Sequence, residues 1–468
     1  MLIGEHFESL HNIENEALTP KLKAPLLRYV IRPPEGENPI RCEGCTIVAS
    51  YAAGGLANAW GAQVYRFDDR DLAGYPLKAQ DLSTYYDDVE REIGISGVED
   101  DLARFHGSQH LLPPLDLGRV ARDLLGRYEG KRAAFHRRGV FMGRPRLAVL
   151  STDYRGRAAY GYDSMEFFRP QTAGIYTPVC TLDSLIRENA VDYRPGWLVE
   201  RFQEHEDRVE VFAVSIGGDE RAVFQARALV LCLGALNTAK LVLRSADDQK
   251  ARLPVVENPM SMCPVISIRH IGCANDDRSH SAQLNLICEV PETGDRIVAM
   301  LYSLEGLLRS DILPEFPLDA RGCLSAARAI LPATMVLQVF RAGRVDPGNH
   351  VGIDGSGRLV VEFRAHTVDD AEKRILGALR RIGYLGHSRF IRRPIPGGSI
   401  HYAGTLPMRA TPSRPYETDP SGRLHGSRRV HIGDSATFPA LPAKNLTLTI
   451  MSNAARVATL ARARLEAE

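Results

Sequence analysis

The chain has 468 residues, 44% of them hydrophobic and 25% charged, and a formal net charge of +1. That length calls for two domains, interleaved or consecutive, and the composition is that of a soluble globular protein. Balanced charge argues against a nucleic-acid or membrane-surface partner, and the longest apolar run, residues 228–236, falls well short of a bilayer span.

The first residues, MLIGE, look like the tail of a short buried strand, and they lack the basic region of a signal peptide. A cytoplasmic location is therefore expected. Eight cysteines are scattered along the chain. Cys42 and Cys45 form a C-x-x-C without the second pair that a structural zinc site requires, so reduced thiols are the better reading and no metal is expected. A Gly-rich loop follows at residues 54–67, GGLANAWGAQVYRF. Residues 76–95 carry apolar positions at helical spacing, with a capping signal around Gln80 and Asp81. Residues 97–178 are rich in Gly, Arg and aromatics with weak periodicity and read as loops and short elements covering a site.

Alternation and β-branched content then predict strands at residues 196–205 and 208–216. The continuously apolar run at 228–236 reads as a strand buried on both faces that feeds a helix over 237–245. From about 254 the texture becomes that of an antiparallel sheet, with strand-like runs at 283–290, 296–304 and 333–340. A hairpin is predicted across the Asp354–Gly357 turn, followed by a helix over 371–385. These mark a second domain. Gly-rich and βα texture returns near 397, so the first domain is read as discontinuous: residues 1–253, with a loop-rich insertion at about 97–178, then 397–468, interrupted by a substrate domain at 254–396.

The chemistry concentrates at the C-terminal end. SIHYAGTLPM holds His401 in an H-x-x-G-T-x-x-M pattern, HIGDSATFP ends a strand on Asp434, and Asn445 opens a helix. A lone loop histidine is usually a surface residue, and an N-cap role for Asn445 is compatible with a functional one. His425 and His431 lie near, with no spacing that suggests a metal, and read as structural or exposed. The Asn-Leu-Thr sequon at Asn445 makes a poor glycosylation site in a chain without a secretion signal.

Taken together, this order resembles the C-terminal signature of the glucose–methanol–choline (GMC) family of FAD-dependent alcohol oxidoreductases. The resemblance implies an α/β FAD-binding domain of that type, with an α+β substrate domain built on an antiparallel sheet. It implies His401 and Asn445 as the two groups facing the substrate hydroxyl. Neutral imidazole near its intrinsic pKa can take the hydroxyl proton while hydride leaves the carbon. Leu446 stands where many members have Pro, a favourable but dispensable residue at a helix start.

The loop at 54–67 is similar to the family's flavin loop, in which Gly54, Gly55 and Gly61 let backbone approach the cofactor, with Asn58 and Trp60 beside them. Its nearest likeness is to pyranose-oxidising members, which implies a sugar or other small alcohol as substrate. Those members place a covalently linking His just before the Trp; here that residue is Ala59, which implies non-covalent FAD. Gly234 and Ala235 fall on the family's second Gly-Ala motif and Val199 on the backbone that meets adenine, Asp434 and Ser435 match the ribityl contact, and Leu446 and Thr447 begin the helix aimed at the flavin ring. A small-residue strand–helix junction and a strand-end Asp are also common without any cofactor.

No G-x-G-x-x-G occurs in the chain. If MLIGE corresponds to the family's second strand, Glu5 is the ribose ligand and a first βα unit of roughly 30 residues is missing. Three accounts compete: a misassigned or truncated start, a flavin-free relic, or a second polypeptide that completes the site. The first is favoured because both substrate-facing residues are in place. A truncated or partner-dependent protein that neither binds FAD alone nor catalyses is the rival reading. Electron acceptor and oligomeric state, homo-oligomer included, are not legible in the sequence.

Overall fold

The computed structural model describes residues 20–37, 40–162, 173–274, 276, 278, 282–292, 294–304, 319–364 and 371–468. MLIGE and Glu5 lie outside the described residues. A six-stranded sheet forms the centre of one half of the molecule, in the order Tyr384–Leu385, Met260–Ser267, Thr334–Phe340, Arg296–Ser303, Ala282–Glu289 and Val140–Gly143. Each neighbouring pair is antiparallel.

Because strand side chains alternate faces, one set (Cys263, Val265, Leu301, Leu337, Val339) packs with Leu124, Tyr128, Ile375 and Leu379 of the helices Arg119–Glu129 and Ala371–Arg380. Leu286 and Leu337 are fully buried there, each worth about 1.5–3 kcal/mol of transfer free energy. The other set includes Met260, Met262, Tyr302, Val336, Gln338 and Phe340, all of which line a large cavity.

Across the cavity lies the second half. Its helix Ala235–Ser245 is buried along most of its length. It packs on a three-stranded antiparallel sheet, Trp197–Glu204, Val209–Ser215 and Arg221–Ala226, and on the strand His350–Ile353. A parallel pair, Leu229–Leu231 with Val430–Ile432, ties the C-terminal segment to this half. The C-terminal helix Thr447–Ala467 packs on the helix Ala79–Ile93, where Tyr86 and Thr449 share a 2.7 Å hydrogen bond. The Asp81 carboxylate accepts the Lys78 N–H at 2.8 Å, so the capping signal lies where the sequence puts it.

Three expectations are corrected. The strand at Leu229–Leu231 is not buried on both faces: Val230 is 38% exposed. Its apolar run reflects a two-stranded pair with one covered face. The hairpin His350–Ile353 with Leu359–Glu362 forms, but it does not join the six-stranded sheet. It pairs instead with Leu253–Pro254 and, in parallel, with Arg41–Glu43, and so belongs with the first domain. The stretch 97–178 is more regular than expected, with helices Ala103–His106, Arg119–Glu129 and Arg132–His136, and its strand Val140–Gly143 is an edge of the substrate-side sheet. Alternation identifies a strand but carries no information about its partner.

Among the described residues no helix is long and apolar enough to cross a membrane, and no three His, Cys, Asp or Glu side chains are grouped to hold a metal ion. Cys42 lies opposite Val361 in the parallel pairing, and the Cys45 thiol contacts the Val361 carbonyl at 3.8 Å. The neighbouring Cys45 thiol lowers the Cys42 pKa.

Candidate active site

A cavity of about 1030 Å³ separates the two halves. Its wall includes His401, Asn445, Gly54, Gly55, Trp60, Gly61, Val199, Gly234, Ala235, Asp434, Ser435, Leu446 and Thr447. Residues spread over some four hundred positions of sequence are thus brought to one surface. Asn58 is not on that wall. It is buried behind the loop, where its side-chain amide donates to the Ala53 carbonyl at 2.7 Å and its carbonyl oxygen fills the space a Cβ on Gly54 would need. Asn58 therefore shapes the turn from behind.

His401 sits at the end of a tight turn. The Glu257 carboxylate accepts the Gly397 N–H at 2.6 Å, the Ser399 N–H at 3.1 Å and the Ser399 hydroxyl at 2.8 Å. The Tyr402 hydroxyl donates to the Gly397 carbonyl at 2.7 Å. Ile400, the residue before the histidine, has φ 61°, a left-handed conformation that strains a β-branched residue and persists only where its surroundings enforce it.

Asn258 fixes the imidazole. Its side-chain nitrogen donates to the Arg341 carbonyl at 2.7 Å and the Pro442 carbonyl at 2.8 Å. Two carbonyl acceptors settle which end of the amide is nitrogen, so the Asn258 oxygen is the atom 3.1 Å from His401 Nδ1. Only a protonated Nδ1 can donate to it. Nε2 is left as the lone-pair nitrogen, the tautomer a base requires. Phe340 stacks on the ring, centroids 5.0 Å apart at 19°. Burial lowers the His401 pKa to about 4, so the imidazole is neutral at physiological pH.

Asn445 precedes the helix Thr447–Ala467, whose first turn has no side-chain cap. Its carbonyl oxygen is buried without a hydrogen-bond partner. The N-cap reading is thereby set aside: an unpaired amide oxygen on the cavity wall is placed for a ligand. The preceding Lys444 is fully buried, donating to the Arg66 carbonyl at 2.9 Å and pairing with Asp71 at 2.5 Å, and so pins the Asn445 backbone.

The wall also fits a large anionic cofactor. The helix Ala235–Ser245 opens on the cavity without a side-chain cap, from Gly234 at φ 80°, where an added Cβ would meet nothing within 4 Å. Two uncapped helix N-termini present N–H groups and a favourable dipole to negative charge. Asp434 is buried and committed: its carboxylate accepts the Gly234 N–H at 2.9 Å and the Ala436 N–H at 2.8 Å, as well as the Thr238 hydroxyl. It locks the Gly-Ala junction to the strand end, and burial raises its pKa. Farther along, Lys240 pairs with Glu37 at 3.0 Å and Arg244 pairs with it at 2.9 Å. Burial pushes the Glu37 pKa up, but these two cations outweigh it and hold the carboxyl below its ordinary value.

Sequence reasoning missed Asn258, Glu257, Phe340 and Lys444. Asn-Pro at 258–259 reads as a turn, and nothing local ties it to a histidine 143 positions away.

Residues 367–454, which contain both His401 and Asn445, match the family model described as GMC oxidoreductase. Comparison with curated proteins finds no match. Among solved structures the chain is similar to pyridoxine 4-oxidase from Mesorbium loti, with a TM-score of 0.56 and 14% identity over 96% of this chain and 92% of that one. At that identity the similarity speaks for the fold. The candidate residues His401 and Asn445 thus lie inside a segment that matches the GMC oxidoreductase model, in a chain whose fold is similar to that of the oxidase.

Proposed function

We propose that the chain is an FAD-dependent oxidoreductase acting on a CH–OH group of a small alcohol, sugars among the candidates, and working in the cytoplasm. The observation that carries the reading is the fixed His401 tautomer: Nδ1–H is given to Asn258, which leaves Nε2 to accept the hydroxyl proton. The unpaired Asn445 oxygen on the same wall supports a role in orienting the substrate hydroxyl.

FAD held non-covalently along residues 54–61, 234–235 and 445–447 would supply the acceptor for the hydride leaving the carbon. His401, neutral because buried, holds the abstracted proton. Glu257 holds the turn that carries the histidine, Asn258 keeps the ring from turning, and Phe340 closes one of its faces to water. The match to the GMC oxidoreductase model and the likeness to an oxidase support this assignment.

The test is a visible spectrum of the purified chain with added FAD, followed by anaerobic addition of a panel of alcohols. Bound flavin that bleaches with an alcohol, and fails to bleach in His401→Ala, is the expected result. Absence of flavin binding, or equal bleaching in the variant, overturns the reading.

A further inference from the structure

Two cysteines that the site does not use stand just before a stretch of its wall, where residues 48–52 line the cavity. Cys42 sits in the strand Arg41–Glu43, and the chain bends at Gly44, whose φ of 71° suits glycine, before it reaches Cys45. Both thiols are free and partly exposed. Both are set against Val361, Cys42 by strand register and Cys45 through its thiol, which donates to the carbonyl. They also act on each other: the Cys45 thiol favours a thiolate at Cys42, and Cys42 in turn holds the Cys45 proton on. A thiolate beside a protonated thiol, both open to solvent, is what thiol–disulfide exchange needs.

The residues after Cys45 clamp the turn that carries His401. The Thr46 N–H donates to the Pro396 carbonyl at 2.8 Å, and the Val48 N–H donates to the Tyr402 hydroxyl at 3.4 Å. Gly397 has no room for a Cβ, which would strike the Thr46 carbonyl. Tyr402 passes the contact on by donating to the Gly397 carbonyl at 2.7 Å. A bond between the two sulfurs, at about 2 Å, takes the Cys45 proton off the Val361 carbonyl and draws Cys45 toward Cys42. Thr46 moves with it, against a turn packed too closely to follow without losing contacts.

We propose that Cys42 and Cys45 form a redox-active dithiol that exchanges with low-molecular-weight disulfides, and that its oxidation loosens the turn carrying His401. The Cys42 thiolate attacks one sulfur of the disulfide, forming a mixed disulfide and expelling one thiolate. Cys45 then loses its proton and attacks the Cys42 sulfur, expelling the second. The cysteine pair gives up two electrons, the small disulfide is reduced to two thiols, and the cysteine protons end on those thiols. The slower flavin reduction that follows rests on the reading of His401 as base; the disulfide and the loosened turn do not.

The test uses the full chain, reduced and then incubated with glutathione disulfide. The tryptic peptide of residues 42–66 should lose two hydrogens, and dithiothreitol should restore them. Hydrogen–deuterium exchange at residues 396–402 should quicken about fivefold on oxidation, the worth of one lost hydrogen bond. It should not respond in Cys42→Ser or in Cys45→Ser. A peptide that keeps its hydrogens, unchanged exchange at 396–402, or a response that persists in both variants overturns the proposal. Flavin bleaching by alcohols is followed on the same samples with FAD added. Slower bleaching after oxidation supports both readings. A disulfide and a loosened turn with unaltered or absent bleaching uphold the dithiol and sink His401 as base, so the two failures are distinct.

Discussion

Replacing Asn258 by Leu tests the site at the residue that sets its protonation geometry. The substitution removes one acceptor from His401 Nδ1–H and two donors, from the buried carbonyls of Arg341 and Pro442. Two carbonyls left unpaired cost about 1–3 kcal/mol each, so a loss of about 2–6 kcal/mol in unfolding free energy is expected. The imidazole then loses the contact that selects its tautomer. Misorientation of a catalytic group costs on the order of a hundredfold in rate. The assay is anaerobic flavin reduction by rapid mixing, paired with urea unfolding. Two controls separate positioning from general damage. In a His401→Ala background, Asn258→Leu should lower the rate no further. Asn258→Asp places a carboxylate on Nδ1–H, which favours the imidazolium and raises the His401 pKa. The acid limb of the rate profile should therefore move up from about 4 toward neutrality. A folded Asn258→Leu variant that reduces flavin at the parent rate would refute the tautomer argument.

In the parent protein, flavin reduction should hold its rate as pH falls to about 5 and drop with an apparent pKa near 4, the value burial gives His401; an acid limb near 6.5 would mean the imidazole is solvated. The same shift contributes to stability with a definite sign. Between 6.5 and about 4 the unfolded chain binds a proton that the folded one does not, so stability falls as pH falls through that window, and His401→Gln should flatten the slope measured by urea titration. His401→Ala should lower the reduction rate by roughly two to four orders of magnitude with little change in FAD content, as read by absorbance. FAD should stay in the supernatant after acid precipitation, because Ala59 on the cavity wall offers no atom for a covalent link; yellow pellet would refute this. Lys444→Met leaves buried Asp71 with Arg296 at 3.1 Å as its remaining cation partner, and should cost about 3 kcal/mol in urea unfolding; an unchanged midpoint would show the pair to be energetically neutral.

What the sequence by itself determined is local. Strand alternation at 283–290, 296–304 and 333–340, the helix feeding from Gly234, and the pattern from His401 to Met408 each follow from neighbouring residues, and each lies where it was read. His401 and Asn445 were picked out because both stand inside a contiguous C-terminal signature, and the structure puts both on the cavity wall with Gly54, Gly55 and Gly61. The tertiary structure decided everything that depends on who meets whom. It sent the Leu359–Glu362 hairpin to the strand Arg41–Glu43 and recruited Val140–Gly143 to the opposite sheet. It put Asn258 on His401, Phe340 over its ring and Lys444 under Asn445. A side chain's pKa, tautomer and role come from the groups packed against it. Packing joins residues far apart in the chain, and no local pattern of residue types encodes that pairing.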